Sequence, residues 1–303
     1  MNPATPLEPA VETLAGGRRV YLKREDAHEL GAFKWRGALP VLEEYRGRGA
    51  SGVVTASTGN HGAATAWAAG KLGLAATVFV PRGASRVKVG RIGALGAEVR
   101  ETGTDFDEAK EEGRKFARER GLPFFEDGDE PAQYEGYGDI TREILAQCPD
   151  FPDAVVVPVG NGALIGGIGL ALRERAAPVR LVGAAAKEAP VMERSFRARR
   201  AVASDRMATF ADGIAVRVAI PRAVDVLARV VAAIELVSER EIARAVGAYA
   251  ASGIRAEGAA AAPLAALWKV PRSEGPIVLV VTGRNIDEAL WKRAVDDPES
   301  FPD

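Results

Sequence analysis

The chain has 303 residues, 47% hydrophobic and 27% charged, which is enough for two cores and ordinary for a globular protein. Forty Lys and Arg against 41 Asp and Glu leave a net charge of −1, so the charge balance draws the chain neither to nucleic acid nor to an anionic membrane surface. Cys148 is the single cysteine, which excludes an intrachain disulfide, and the two histidines, His28 and His61, form no clustered pair for zinc.

The first 20 residues lack a basic start followed by an apolar run, and no apolar stretch approaches the ~20 residues of a membrane helix. A cytoplasmic protein is expected. Segment 22–38, LKREDAHELGAFKWRGA, is one of four Gly-rich or polar turns. From near residue 50, strand-like and helix-like segments alternate. Val53–Thr55 is a short buried strand, followed by a Gly-rich turn and an Ala-rich helix to about Leu72. Ala76–Val80 is the next strand. A helix over Val87–Leu95 leads to strand Ala97–Arg100, and a polar helix over Asp105–Arg120 leads to Phe124 and Phe125. After a Gly-containing stretch at Tyr134–Gly138 the pattern continues with helix Ile140–Leu145, strand Ala154–Val159, a helix to about Arg175 and strand Val179–Ala184. Arg194–Arg206 is basic and irregular, a surface loop or a solvated helix face. Helices Glu239–Ala251 and Glu257–Leu267, strand Ile277–Thr282 and a short terminal helix complete the chain. Such repeats of β then α predict an α/β fold with parallel strands and right-handed crossovers.

Open α/β sheets bind ligands at the carboxyl ends of their strands, so the turns there are the candidate sites. Val155–Val159 runs into Gly160-Asn161-Gly162-Ala163-Leu164, where backbone N–H groups and a helix N-terminus suit an anion. The turn lacks the Lys and Ser/Thr of a nucleotide P-loop, and no acid follows to bind a dinucleotide ribose, which favours a single phosphate. Tight helix–strand packing accounts for the same glycines equally well. Ser57-Thr58-Gly59-Asn60-His61-Gly62 also joins a strand to a helix and offers hydroxyls, an amide and N–H groups suited to a carboxylate. Lys34 lies between Phe33 and Trp35, apolar company that would favour a neutral, reactive amine. From local sequence alone, an ordinary amphipathic lysine is the plainer account.

Taken in order, Thr5-Pro6-Leu7, the Lys34 segment, Ser57–Gly62, Tyr134–Gly138, Val157–Leu164, Ala211-Asp212-Gly213-Ile214-Ala215, Glu257–Leu267 and Thr282-Gly283-Arg284-Asn285 resemble the fold-type-II pyridoxal-phosphate (PLP) enzymes. The resemblance implies two three-layer α/β domains with mainly parallel sheets and PLP in the cleft between them. The expected division is a large PLP-binding domain, 1–49 plus 137–303, and a small substrate-clamping domain, 50–136. It implies that Lys34 holds the cofactor as a Schiff base and removes the substrate α-proton, with Phe33 stacked on the ring. Gly160, Asn161, Gly162, Ala163 and Leu164 cradle the phosphate, and Asn60 meets the phenolic oxygen. Thr282 lies beside the pyridine nitrogen, whose lack of an acidic partner favours β-elimination over transamination. Ser57, Thr58, Gly59 and His61 clamp the substrate carboxylate, and Thr58 stands where serine racemases have a reprotonating serine.

His61 after Asn60, the Phe-Lys-x-Arg-Gly-Ala run at 33–38 and Ala-Asp-Gly-Ile-Ala resemble threonine and serine dehydratases. Ser57–Asn60, Gly160-Asn161 and Val281–Gly283 resemble threonine synthase. The former predict an ammonia-lyase acting on threonine or serine to give a 2-oxo acid and ammonia; the alternatives are replacement chemistry on O-phosphohomoserine or a non-catalytic PLP-binding protein. Ala32 replaces a usual serine. Ala185 replaces an acidic ligand, so no divalent metal is expected. The resemblance implies that the catalytic module ends about where this sequence does, so no C-terminal regulatory domain is expected, and it implies a homodimer.

Overall fold

The computed structural model describes residues 3–204 and 207–303. In chain order the elements are β1 (Leu7–Pro9), α1 (Glu12–Ala15), β2 (Val20–Arg24), α2 (Trp35–Gly47), β3 (Gly52–Ala56), α3 (Asn60–Leu72), β4 (Ala75–Val80), α4 (Arg86–Ala94), β5 (Glu98–Glu101), α5 (Phe106–Arg120) and α6 (Pro131–Gln147). They continue with β6 (Ala154–Pro158), α7 (Ala163–Glu174), β7 (Arg180–Ala186), α8 (Val191–Ala198), α9 (Pro221–Val230), β8 (Ala233–Val237), α10 (Glu239–Ala251), α11 (Gly258–Leu267), β9 (Ile277–Val281) and α12 (Glu288–Asp296). Two compact units result: residues 1–33 with 137–303, and residues 34–136.

In the smaller unit, β3, β4 and β5 form a parallel sheet in that order. Strand periodicity sorts its faces. Val54, Ala56 and Phe79 pack with Phe116 and Ala117 of α5, while Thr55 points the other way, to His61 of α3. Asp105 caps α5 by accepting the Glu108 N–H at 2.9 Å, and Gly121, at φ +62°, ends it. The expected boundary at residue 49 moves to residue 33, because α2 packs on α3, with Trp35 edge-on to Trp67 at 6.4 Å.

In the larger unit a six-stranded sheet runs β1-β2-β9-β6-β7-β8, parallel except for the β1–β2 pair. Helix α11 is buried on every side, as its apolar, Ala-rich sequence requires, and packs on β6, β7 and β9. A capping box between Ser238 and Glu241 starts α10, which covers α11.

Three expectations change. Tyr134–Gly138 is helical, lying inside α6. Its glycines serve close packing: a Cβ at Gly136 would sit 2.0 Å from the Arg36 carbonyl oxygen, and one at Gly138 would sit 3.2 Å from Ala171. Phe124 and Phe125 form no strand of their own; only an isolated bridge joins Phe124 to Val54. Arg194–Ala198 belong to α8, which turns Val191, Met192 and Ser195 inward and pairs Arg197 with Glu193; Asp205 and Arg206 lie outside the described residues.

Candidate active site

Parallel β6 and β9 end along the same edge of the six-stranded sheet. After β6 the chain builds outward through β7 and β8, then returns to place β9 on the opposite side of β6. This is the topological switch point at which open α/β sheets leave a crevice beyond their strand ends. The Gly160–Leu164 turn follows β6, and Thr282 follows β9. Gly162 adopts φ +91°, and the Asn161 side chain accepts the Ala163 N–H at 3.1 Å, which shapes the entry into α7. A Cβ at Gly160 would sit 2.9 Å from the Gly213 carbonyl oxygen, so this glycine lets the Ala211–Ala215 segment approach. The N-terminus of α7 places the positive end of its dipole at this turn.

The chain that precedes Lys34 is tied to the residues after β9. Ala32 bridges Gly283, the Phe33 N–H donates to the Thr282 carbonyl at 3.0 Å, and Asn285 donates to the Leu30 carbonyl at 2.9 Å and the Gly31 carbonyl at 3.1 Å. Phe33 lies 5.2 Å from the Tyr137 ring, tilted by 51°. The side chain of Thr282 is 1% exposed, and its Oγ1 has no hydrogen-bond partner among the described residues. Glu257, which sequence reasoning named only as the start of an Ala-rich helix, is buried beside this point. Its N–H donates to the Gly283 carbonyl at 3.0 Å, and a Cβ at Gly283 would meet its carboxylate at 2.7 Å.

In the smaller unit, Ser57–Gly59 form a turn in which Ser57 Oγ accepts the Gly59 N–H at 3.1 Å. Asn60 begins α3, and no side chain caps its N-cap residue Gly59, so the helix N-terminus faces the Ser57–Gly59 turn. A Cβ at Gly62 would lie 2.8 Å from the Ser57 carbonyl oxygen, which keeps this turn close against the helix. His61 is buried, with Nε2 3.0 Å from Thr55 Oγ1 and its ring 4.5 Å from that of Phe125. Burial lowers its imidazole below the ordinary value; Asp127 opposes that shift and Lys34 adds to it.

Asp127 carries no sequence signal that sets it apart from the acids beside it. Lys34 Nζ donates to Asp127 Oδ2 at 2.7 Å, while Gln133 Nε2 donates to Oδ1 at 2.7 Å and His61 Nδ1 lies 3.6 Å from Oδ1. Burial works to raise this carboxyl, but the charges of Lys34 and His61 and the hydrogen bonds from Lys34 and Gln133 outweigh it and hold the group below the usual carboxylate range. The apolar flanks of Lys34 therefore do not describe its surroundings. Of the predicted residues, Phe33 and Thr282 meet in the larger unit. Lys34 and His61 meet through Asp127 in the smaller.

The sheets and their connections are those of the fold-type-II class of α/β proteins. A family model described as pyridoxal-phosphate dependent enzyme matches residues 2–283. The L-threonine ammonia-lyase of Geobacter sulfurreducens is 38% identical over 275 residues, covering 89% of this chain and 68% of that protein. That of Thermotoga maritima is 35% identical over 286 residues, covering 92% and 70%. The processed form of threonine deaminase isoform 2 from Solanum lycopersicum superposes with a TM-score of 0.90 at 28% identity, covering 97% of this chain and 88% of that one. The chain belongs to the pyridoxal-phosphate dependent enzymes, and pyridoxal phosphate is its cofactor.

The chain's own atoms suit that cofactor. A buried hydroxyl without a partner, such as Thr282 Oγ1, is costly, and a ring nitrogen would satisfy it. A glycine turn at a helix N-terminus, such as Gly160–Gly162, suits a phosphate. No helix among the described residues is long and apolar enough to cross a membrane.

Proposed function

We propose that the protein is an ammonia-lyase acting on a small β-hydroxy amino acid, threonine or serine, and yielding a 2-oxo acid and ammonia. The observation that carries the reading is the buried, unpartnered Thr282 hydroxyl beside the backbone strap that leads into Lys34. The named activity of the two L-threonine ammonia-lyases supports the substrate class.

Lys34 Nζ would hold the cofactor and serve as the base for the hydrogen on the substrate Cα. Gly160, Asn161, Gly162, Ala163 and Leu164, backed by the α7 dipole, hold the phosphate. Asn60 would orient the cofactor's phenolic oxygen, Thr282 would meet its ring nitrogen and Phe33 would flank the ring. Ser57, Thr58, Gly59 and His61 hold the substrate carboxylate at the N-terminus of α3, where helix N–H groups and dipole favour an anion. When bound, the cofactor draws electrons from the substrate Cα and so acidifies its hydrogen. Burial disfavours the charged form of His61. Departure of the β-hydroxyl, release and hydrolysis give the 2-oxo acid and ammonia.

The test is 2-oxo acid formation from L-threonine and L-serine by the purified holoenzyme. Product from either supports the lyase. No product from both, with phosphate released from O-phosphohomoserine, moves the assignment to threonine-synthase-like replacement, which the Ser57-Thr58-Gly59-Asn60 run favours. The same reading takes the protein to be a cytoplasmic homodimer, the assembly being measurable by sedimentation.

A further inference from the structure

Residues 126–130 read Glu-Asp-Gly-Asp-Glu, the composition of a solvated loop, yet their side chains are divided by partner. Glu126 pairs with Lys110 and Arg114 of α5, and Glu130 accepts the Tyr45 hydroxyl at 2.6 Å. Asp127 is directed at Lys34 Nζ, 2.7 Å away. Its orientation does not depend on Lys34. Gln133, itself 0% exposed, donates to Oδ1, and the Gly128 N–H fixes the Gln133 amide by donating to its oxygen at 2.7 Å. Tyr134 closes the turn by donating to the Gly128 carbonyl at 2.8 Å.

Behind the carboxylate, Thr55 Oγ1 donates to the Phe125 carbonyl at 2.8 Å, so its oxygen accepts from His61 Nε2–H. With Nε2–H so engaged, His61 turns Nδ1 towards Asp127, 3.6 Å away, while burial disfavours the charged imidazole. Lys34 is the cation at hydrogen-bond distance from the carboxylate. A proton-abstracting lysine must be uncharged before the step and ammonium after it, so a carboxylate fixed at hydrogen-bond distance favours the state after abstraction. In that step the Cα–H bond breaks, its electron pair stays with the substrate, and the proton forms an N–H bond at Nζ. The same carboxylate engages Nζ whenever the amine is not bonded to the cofactor.

We propose that Asp127, oriented by Gln133, is a positioning residue that holds the Lys34 ammonium formed on proton abstraction and competes with the cofactor for the same nitrogen. The proposal rests on the reading of Lys34 as the cofactor lysine. Its two halves predict effects of opposite sign, which a merely structural role would not.

Cofactor-free full-length protein is mixed with pyridoxal phosphate and capture is followed by the rise in visible absorbance; the holoenzyme is then assayed with L-threonine and with its α-deuterated form. For Asp127→Asn, capture should quicken by about 3–10-fold, because the competing ion pair is gone, while kcat falls by roughly 10–100-fold with KM nearly unchanged. The isotope effect on kcat should rise as proton transfer becomes limiting. Asp127→Glu should restore part of both changes. Capture and kcat falling together, or neither changing, overturns the proposal. Should Asp127→Asn fail to fold by circular dichroism, Asp127→Glu carries the test alone: smaller changes of the same opposite signs support the proposal, and changes of one sign overturn it. Borohydride reduction and peptide mapping of the wild type separate the two readings. A label away from Lys34 sinks both, whereas a label on Lys34 with an indifferent Asp127→Asn sinks this one only.

Discussion

Thr282→Val should stabilise the cofactor-free protein while weakening its hold on the cofactor. Valine keeps the branched shape of threonine and removes only the hydroxyl. In the structure that hydroxyl is within a 1% exposed residue and its oxygen has no partner among the described residues, so its desolvation is uncompensated. A buried unsatisfied polar group costs about 1–3 kcal/mol, and the substitution should recover that amount in the cofactor-free state. At roughly 2–4 °C per kcal/mol for a unit of this size, the melting temperature should rise by ~2–12 °C. With cofactor present the sign reverses, because the variant cannot meet the ring nitrogen. The loss of one hydrogen bond worth about 0.5–1.5 kcal/mol weakens binding by roughly 2–12-fold. Thermal unfolding of stripped protein and a cofactor titration followed by visible absorbance read the two effects. A stripped Thr282→Val protein that melts below the wild type would refute the reasoning, since it would mean that the hydroxyl is already satisfied.

Gly136→Ala would press a methyl group to within 2.0 Å of the Arg36 carbonyl oxygen, and should cost about 3 kcal/mol through forced separation of α6 from α2, read as a lower urea midpoint; an unchanged midpoint would contradict the packing argument. Lys34→Ala should abolish both the pyridoxyl label and turnover while leaving far-UV circular dichroism intact, and any retained label would send the search to another amine. Acid should destabilise the protein in two stages. His61 is held below its ordinary value in the folded state, so the unfolded chain binds the extra proton and stability declines as pH falls below about 6.5. Asp127 is depressed too, so its contribution is complete above the ordinary carboxyl value and is lost as pH falls below about 4. Urea midpoints between pH 7.5 and 3 test this, and a midpoint that stays level from 7.5 to 5 would remove the His61 argument.

Much of the fold was legible because its signals are local. Helix α5 announces itself through an Asp cap, a polar periodic run and a closing glycine, and β6, β7 and β9 through short apolar runs that end in Gly-containing or polar turns. The ordered motifs at Lys34, Ser57–His61, Gly160–Leu164 and Thr282 carried the family, since each is a short contiguous stretch. Strand β2 was not legible. Its Lys23 is 0% exposed and reads as surface until Glu143, the Thr5 carbonyl and Gln147 are seen to meet its Nζ at 2.6, 2.7 and 3.0 Å. The sequence by itself thus determined which segments form strands and helices at most positions, and which residues suit a phosphate, a carboxylate and a reactive amine. Tertiary structure decided that Tyr134–Gly138 is helix, that residues 34–49 belong to the smaller unit, and that Asp127 faces Lys34. Capping and periodicity act within a few residues, whereas the fate of a glycine or a charge depends on the backbone or counter-charge that folding brings against it from far along the chain.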